Sequence, residues 1–239
     1  MGKIKWIFIE IGYFLLKYSL RYRLAGEQQQ WLQPIPNRTP EKRIDFIFKH
    51  CKGKKVLHVG FADAPFTQER IRTGDLLHLH LKKIASEVYG IDADKNAVSI
   101  YRSITQDEMV GDVSAETLPQ ELLHSFDIIL LGEILEHIKD PHGLIERLHA
   151  CLRANQRLLV TVPNYVSTDN IAAALNKKES VHADHYWYFS PYTLMKLFEK
   201  DKWKNIDFGY VSYSNKKPNM TERRFPHLSD GLAVVFQLQ

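Results

Sequence analysis

The segment FDIILLGEILEH, residues 126–137, decides how the rest of the chain is interpreted. Its apolar run from Ile128 to Leu131 is typical of a strand buried on both faces of a parallel sheet. A glycine follows, and then Glu133, Glu136 and His137 stand at positions i, i+3 and i+4, which predicts one face of a helix. Because ligands of open α/β sheets bind at the carboxyl ends of strands, the segment predicts a functional site directly after this strand.

Four further segments of this kind flank that strand in the sequence. Each is short and apolar and ends at a glycine, an acid or a proline: residues 55–60, 88–92, 109–112 and 157–162. Helical patterns occupy residues 40–53, 96–104, 119–124 and 144–152. The second half of residues 74–87 is also expected to be helical, although Leu77 to Leu81 alternates like a strand. Ser190-Pro191 is expected to cap another helix, running to about Asp201, before late strands near residues 206–213 and 231–238. Alternating strands and helices predict an α/β protein built on a parallel sheet.

Length and charge predict one main domain with an N-terminal extension. We place the extension at residues 1–38 and the main domain at residues 39–239. Residues 1–23 contain five basic residues against one acidic residue, a local net charge of +4 that equals the net charge of the whole chain. The remainder is therefore neutral overall. This argues against a nucleic-acid-binding face, because such faces depend on clustered Lys and Arg.

Residues 4–20 are strongly apolar and have basic flanks. The run is short for a membrane-spanning helix, is interrupted by Glu10, and lacks the small-residue cleavage site of a signal peptide. Two interpretations stay open: a helix that packs on the main domain or on a second subunit of a homodimer, or an interfacial helix on a membrane surface. We therefore expect a cytoplasmic protein, or one attached peripherally at the inner face of the membrane.

The order of these signals resembles the class I S-adenosylmethionine-dependent methyltransferases over roughly residues 40–239. The branch with the ubiquinone-biosynthesis O-methyltransferases is the most similar. The resemblance is carried by VLHVG at 56–60, GID at 90–92, GD at 111–112, FDIILLGEILEHIKDP at 126–141, RLLVTVPN at 157–164 and HYWYFSPYTL at 185–194. It implies a Rossmann-like, doubly wound, mostly parallel seven-stranded sheet whose last strand is antiparallel. It also implies S-adenosylmethionine as the cofactor.

The resemblance implies a cofactor site at successive strand ends. A glycine turn after the first of these strands allows the backbone to approach the methionine part of the cofactor, and an acid after the second can accept both ribose hydroxyl hydrogen bonds. An acid after the third strand corresponds to the adenine contact. The cofactor-binding residues expected on this basis are Gly60, Phe61, Asp63, Asp92, Ala93, Asp112, Val113 and Gly132.

The chain departs from the family pattern at the first loop. The family usually has an acid where His58 stands and a glycine-rich run where residues 61–65 read FADAP. Of the usual glycines only Gly60 is present, and Asp63 is expected to take over the contact to the cofactor's ammonium group. This departure motivates one alternative function, a non-catalytic binding or assembly protein with a methyltransferase fold.

The polar residues after the central strand match a second pattern, E-x-x-E-H…H. In the small-RNA 3′-terminal 2′-O-methyltransferases, two Glu and two His in this arrangement hold a magnesium ion. The resemblance implies that Glu133, Glu136, His137 and His185 bind a divalent metal such as Mg²⁺, although imidazole suits Zn²⁺, Mn²⁺ or Fe²⁺ better. Two alternatives stay open: His137 and His185 are catalytic without a metal, with His185 as the base, or the group is a structural Glu–His face.

These observations favour an enzyme that transfers a methyl group from S-adenosylmethionine to an oxygen of a small-molecule, glycan or quinone-like lipid acceptor. An N-directed or RNA-directed methyltransferase is the alternative within the family. The aromatic run from Tyr186 to Phe189 is interpreted either as a wall or lid over the acceptor, or as part of the core.

Overall fold

The computed structural model describes residues 33–213, 218 and 220–239. Residues 36–239 form one compact unit. The predicted helix at residues 4–20, and with it the predicted membrane or homodimer contact, lies outside the described residues. Within the described part of the chain, no helix combines the length and apolar character that a membrane span requires.

The described residues form a sheet of eight strands in the order β1-β7-β8-β6-β5-β2-β3-β4. Neighbouring strands are parallel, except that β8 runs antiparallel to both β6 and β7. The strands are β1 (Glu41–Lys42), β2 (Lys55–Val59), β3 (Glu87–Ile91), β4 (Val110–Gly111), β5 (Ile128–Gly132), β6 (Arg157–Pro163), β7 (Trp203–Ser212) and β8 (Gly231–Leu238). The predicted Rossmann-like architecture with an antiparallel last strand is confirmed.

Nine α-helices connect the strands in the described part of the chain. They are α1 (Arg43–Cys51), α2 (Thr67–Thr73), α3 (Leu77–Leu81), α4 (Lys95–Thr105), α5 (Gln120–Leu123), α6 (Pro141–Cys151), α7 (Thr168–Leu175), α8 (Pro191–Lys196) and α9 (Met220–Arg224). Short 3₁₀ turns lie between these elements at Ala115–Thr117, Leu135–His137 and Pro226–Leu228.

Helices cover both faces of the central strand. Ile129 and Leu131 of β5 belong to a core cluster that includes Leu144 of α6, whereas Ile128 and Leu130 pack in a second cluster with residues of α1. Residues 128–131 are each at most 1 % exposed. Burial on both faces explains why the strand reads as an uninterrupted apolar run, as the sequence predicted.

Four local predictions are corrected. The predicted sheet of seven strands has an eighth, β1, whose two charged residues carry no strand pattern. Strand β1 occupies the start of the predicted helix at 40–53. The helix therefore begins at Arg43, and no side chain caps it. In residues 74–87 the helix α3 lies before the half that was predicted to be helical. Ser190 does cap α8, through a reciprocal pair with Thr193, but the helix ends at Lys196.

A pair of buried histidines lies beneath the first loop. His58 of β2 is 2 % exposed and His78 of α3 is fully buried, and their Nδ1 atoms lie 3.4 Å apart as a hydrogen bond. His78 Nε2 has no hydrogen-bond partner among the described residues. Burial lowers the pKa of His78 to about 3 and that of His58 well below its usual range. Both side chains are therefore neutral in the folded protein near neutral pH.

The neutral pair is expected to make the fold acid-sensitive. Below about pH 6.5 the unfolded chain protonates these histidines while the folded chain does not, so the free energy of unfolding falls as the pH drops. Each histidine contributes a slope of about 1.4 kcal/mol per pH unit in this range.

Urea unfolding between pH 7 and pH 5 measures this dependence. The free energy of unfolding should change less steeply with pH for His78→Leu than for the wild type. Leu76→Ala, which truncates a buried neighbour, should lower stability without changing the slope. Equal slopes in all three proteins would contradict the prediction.

Candidate active site

A cavity of about 840 Å³ opens at the carboxyl ends of the parallel strands. Residues after β2, β3 and β5 line it, together with the start of α1 and the end of β7. Of the predicted cofactor-binding residues, Gly60, Phe61, Asp63, Asp92, Ala93 and Gly132 line this cavity, as do Glu133 and His137 from the predicted metal set. The place is the one at which open α/β sheets bind their ligands.

Gly60 forms the floor of the cavity at the end of β2. Its φ of +72° lies in the left-handed region, and a Cβ atom there would collide with the Ile134 side chain. Its amide donates to Ile91 O at 2.7 Å, which fixes the turn against β3. The turn therefore brings bare backbone to the cavity at a position where the conformation and the space both favour glycine.

Asp92 stands at the end of β3 with both carboxylate oxygens directed by backbone amides. Oδ2 accepts from Ala62 N at 3.0 Å, and Oδ1 accepts from Asp94 N at 2.9 Å. Each carboxylate oxygen can accept more than one hydrogen bond, so the group is held in place and keeps acceptor capacity toward the cavity.

The other two predicted acids are placed differently. Asp63 lines the cavity with a φ of +53°, but its Oδ2 lies 3.0 Å from Arg70 Nε, so its charge is already paired. Asp112 and Val113 follow β4 and are not among the lining residues of this cavity. Asp112 Oδ2 lies 3.8 Å from Lys95 Nζ at an exposed position.

Glu133 does not share a helical face with Glu136 and His137, which corrects the sequence interpretation. It has a φ of +59°, and its amide donates to Thr161 O at 2.9 Å as an extension of the sheet. The helical turn begins only at Leu135 and is a single 3₁₀ turn.

One oxygen of the Glu133 carboxylate is hydrogen-bonded, whereas the other is buried near a cation and has no hydrogen-bond partner in the described part of the chain. Tyr213 OH donates to Glu133 Oε2 at 2.6 Å, and Arg43 Nε lies 3.3 Å from Oε1. That guanidinium also donates to Thr161 Oγ1 at 3.1 Å. Arg43 and Tyr213 both line the cavity, and neither was predicted as a site residue.

Glu136 is the most deeply buried acid of the site, at 1 % exposure. Neither of its carboxylate oxygens has a hydrogen-bond partner in the described part of the chain. Burial, and next the negative charge of Glu133, raise the pKa of Glu136 well above its usual range. A buried carboxylate without partners is costly, so this group needs either a proton or a cation.

The imidazole rings of His137 and His185 lie next to the Glu136 carboxylate. The rings of His137 and His185 meet edge to face with centroids 4.6 Å apart. One ligand atom from each of Glu136, His137 and His185 lies within 4.8 Å of the other two. Burial, with the charges of His137 and His182, lowers the pKa of His185, which favours the neutral imidazole that binds metals. These three of the four predicted metal-binding residues thus come together, and the fourth, Glu133, is close enough to Glu136 to raise its pKa.

Two hydrogen bonds join residues 186–187 to residues 136–138, one between backbone groups and one from an indole side chain. Tyr186 N donates to Glu136 O at 2.8 Å, and Trp187 Nε1 donates to Ile138 O at 2.9 Å. Tyr186, Trp187 and Tyr188 are exposed, whereas Phe189 is buried in the core. Phe189 thus belongs to the core, whereas the other three lie at the surface and are not among the lining residues of the cavity, so their role as a wall or lid stays a prediction.

The chain is similar to known methyltransferases in sequence and in structure. It is 24 % identical over 146 residues to the ubiquinone biosynthesis O-methyltransferase of Acinetobacter baylyi, an alignment that covers 58 % of this chain and 56 % of that protein. The chain thus spans little more than half of that relative's length. A small RNA methyltransferase structure aligns with a TM-score of 0.60 at 14 % identity, covering 87 % of this chain and 27 % of the other.

A second structural match covers nearly all of both chains. The S-adenosylmethionine-dependent methyltransferase of Clostridium acetobutylicum aligns with a TM-score of 0.54 at 11 % identity, over 95 % of this chain and 98 % of the other. At these identities the two structures show a common fold. The family model described as a methyltransferase domain matches residues 24–207, well over half of the chain, and the chain therefore belongs to the methyltransferase-domain family.

Proposed function

We propose that the chain is an S-adenosylmethionine-dependent O-methyltransferase. The observation that carries the proposal is the group of the buried Glu136 with His137 and His185, next to a cavity that is also lined by the glycine turn of Gly60 and the carboxylate of Asp92. Family membership supports the methyl-transfer chemistry. The ubiquinone-biosynthesis relatives support an oxygen acceptor.

The chain's own residues supply the binding of the cofactor. The Gly60 turn admits the methionine part, and Asp92 and Ala93 receive the ribose, with Asp112 and Val113 assigned to the adenine from the next strand end. Arg43, whose guanidinium also lies 3.3 Å from Glu133 Oε1, is the cation of α1 among the lining residues. S-adenosylmethionine, when bound, supplies an electrophilic methyl group that a substrate oxygen accepts by in-line displacement, and positioning can account for about 7–11 kcal/mol of the barrier.

The acceptor oxygen must lose its proton, and the histidine group is placed to assist. His185, neutral and half-buried, can accept that proton, a role worth about 10²–10⁴-fold in rate. The alternative is a divalent cation held by the group, which would lower the pKa of the acceptor hydroxyl. The buried oxygens of Glu136, which have no hydrogen-bond partner in the described part of the chain, are compatible with both versions, because the carboxyl can bind the cation or, with its raised pKa, carry a proton.

Removal of the metal discriminates between the two versions. If a divalent ion is used, exhaustive dialysis against EDTA should lower methyl transfer by at least about tenfold, and added Mn²⁺ or Mg²⁺ should restore it. S-adenosylmethionine binding, measured by calorimetry on the same samples, should be retained. Activity that survives EDTA unchanged would leave His185 as a metal-free base.

A lipid-linked or envelope acceptor would account for the apolar, basic segment at residues 4–20. We propose that this segment attaches the enzyme peripherally to the inner face of the membrane. Cosedimentation with anionic vesicles should be lost when residues 1–23 are removed. Retained binding by the shortened protein would contradict the proposal, and a change from dimer to monomer would favour the subunit contact.

The proposed function is tested first by cofactor binding and then by methyl transfer. Calorimetric titration should show binding of both S-adenosylmethionine and S-adenosylhomocysteine. Radiolabelled methyl transfer should then be measured on catechols, glycans and short RNAs. Transfer to a catechol or a glycan supports the proposal, and transfer to RNA alone would favour the RNA-directed alternative. Absence of cofactor binding would favour a non-catalytic protein.

Replacement of Asp92 by alanine should specifically lower the affinity for S-adenosylmethionine. A hydrogen bond to a charged group contributes about 1.5–3 kcal/mol, so losing the ribose contacts should lower affinity by about 10–100-fold. Asp140→Ala is the matched control, because Asp140 caps α6 through Gly143 N and is not a lining residue of the cavity. Equal affinities in the two variants would contradict the assignment of Asp92.

A further inference from the structure

The buried histidine pair beneath the first loop reaches the cavity through one of its two members. His58 lines the cavity, as does Gly60, two residues further along at the end of β2. Side chains two residues apart on a strand lie on the same face of the sheet. His58 therefore faces the part of the cavity next to the Gly60 turn, which the proposed function assigns to the methionine part of the cofactor.

The second histidine of the pair holds the first in place. His78 Nδ1 lies 3.4 Å from His58 Nδ1, and a hydrogen bond between two imidazoles requires one N–H group and one bare nitrogen. His78 is fully buried next to the rings of Phe61 and Tyr101, whose centroids lie 4.8 Å and 5.4 Å from its own. Burial lowers the pKa of both histidines, so each neutral ring carries a single N–H group.

The surroundings of His78 decide which of the two rings donates. Its Nε2 is buried and has no hydrogen-bond partner in the described part of the chain. Buried N–H groups without an acceptor are rarer in proteins than buried acceptors without a donor, so the bare form of His78 Nε2 is favoured. The proton of His78 then lies on Nδ1 and is donated to His58 Nδ1. The proton of His58 must in turn lie on Nε2.

We propose that His58 donates its Nε2–H group to the carboxylate of the cofactor's methionine part, and that His78 is the positioning residue that fixes this tautomer. Because Nδ1 of His58 is engaged with His78, Nε2 is the ring nitrogen that remains for a ligand. An N–H group suits the carboxylate of the cofactor and not its ammonium group. The family usually has an acid at this position, so the polarity of the contact is reversed in this chain. The inference rests on the proposed function only in taking S-adenosylmethionine as the ligand.

Two measurements on the wild-type full chain test the proposal. In protein labelled with ¹⁵N-histidine, NMR should show a protonated Nε2 and a bare Nδ1 for His58, and the reverse for His78. Calorimetry should show that decarboxylated S-adenosylmethionine, which keeps the ammonium group, binds about 10–100-fold more weakly than S-adenosylmethionine itself. This is the loss expected for a hydrogen bond to a charged group.

Variants of His58 assign that loss to its side chain. His58→Leu should weaken S-adenosylmethionine binding by about 10–100-fold and leave binding of the decarboxylated form within about threefold of the wild-type value. His58→Gln, which keeps an N–H donor, should retain most of the affinity. His58→Asp, which restores the acid of the family, should bind S-adenosylmethionine more weakly than His58→Leu does, because it repels the carboxylate.

Two further variants test the positioning residue and the specificity of the effect. His78→Leu should release the tautomer of His58, whose two ring nitrogens then show averaged ¹⁵N shifts. His124→Leu is the matched control, because the His124 imidazole is also hydrogen-bonded, to Cys151 O at 2.8 Å, but does not line the cavity. It should bind both forms of the cofactor as the wild type does. Circular dichroism verifies that each variant is folded, and the two wild-type measurements decide the inference if a variant is not.

Each outcome decides the inference. A bare Nε2 on His58 would overturn it, as would tighter binding by His58→Asp or an equal loss of affinity for both cofactor forms in His58→Leu. Unchanged ¹⁵N shifts of His58 in His78→Leu would overturn the role of His78. Equal affinity of the wild type and His58→Leu for S-adenosylmethionine would overturn the inference alone. Absence of S-adenosylmethionine binding to the wild type would overturn the proposed function as well.

Discussion

Alanine in place of His185 is expected to lower kcat for methyl transfer by about 10²–10⁴-fold. His185 meets His137 at 4.6 Å between ring centroids and stands within ligand distance of the unpartnered Glu136 carboxylate. The loss follows whether the imidazole accepts the acceptor's proton or holds the cation that lowers the acceptor's pKa. Steady-state kinetics with a catechol acceptor would measure it. The KM for S-adenosylmethionine should stay within about threefold of the wild-type value, because His185 is not one of the residues assigned to cofactor binding.

His182→Ala is the matched control, since it removes an imidazole from the same segment at a position that is largely exposed. It should keep kcat within about threefold of the wild type. Added imidazole should restore part of the activity of His185→Ala if the side chain acts as a base. Equal kcat values in the two alanine variants would contradict the assignment of His185, and an unchanged thermal midpoint would exclude a loss of folded protein as the cause.

The buried parallel strands could be predicted from the sequence because their environment leaves little choice of residue. A strand covered by helices on both faces, such as Ile128–Gly132, requires apolar side chains at every position. The glycine and the acid at the ends of β2 and β3 could also be recognised, because tight turns and ligand contacts restrict residue type there. These signals are local, and each lies within about ten residues.

The remaining features depend on contacts between distant residues. Arg43 reaches Thr161 and Glu133 across the sheet, and no pattern around Arg43 distinguishes it from another surface cation on a helix. The left-handed conformation of Glu133 could not be predicted from local sequence either, because periodicity alone predicts that Glu133 continues a helix toward His137. Strand β1 is held by pairing with β7 rather than by its own two residues.

The pairing of His137 with His185 came from a family resemblance and not from periodicity. Nothing in the spacing of the two residues predicts contact, since the segment between them includes β6 and α7. The third nearby imidazole, His182, illustrates the limit of residue type as a guide. Two of the three histidines face the buried carboxylate, and only the tertiary structure identifies which two.

Alanine at Gly60 is expected to lower S-adenosylmethionine affinity by about 10–100-fold and the free energy of unfolding by about 2–4 kcal/mol. Two effects add. A left-handed φ costs an L-residue about 1–2 kcal/mol, and the new Cβ collides with the Cδ1 end of the Ile134 side chain, which must then move aside. Urea unfolding would give the stability change, and calorimetric titration would give the affinity.

The chain contains a control that separates the two effects, because Gly53 has nearly the same φ, +68°, but open space where a Cβ would stand. Gly53→Ala should therefore cost only the backbone strain, about 1–2 kcal/mol, and leave cofactor affinity unchanged. Ile134→Ala combined with Gly60→Ala should relieve the collision and recover affinity toward the wild-type value. If Gly60→Ala bound the cofactor as tightly as Gly53→Ala does, Gly60 would not be needed for close approach of the cofactor to the backbone after β2. The cofactor would then have to be placed elsewhere along the strand ends.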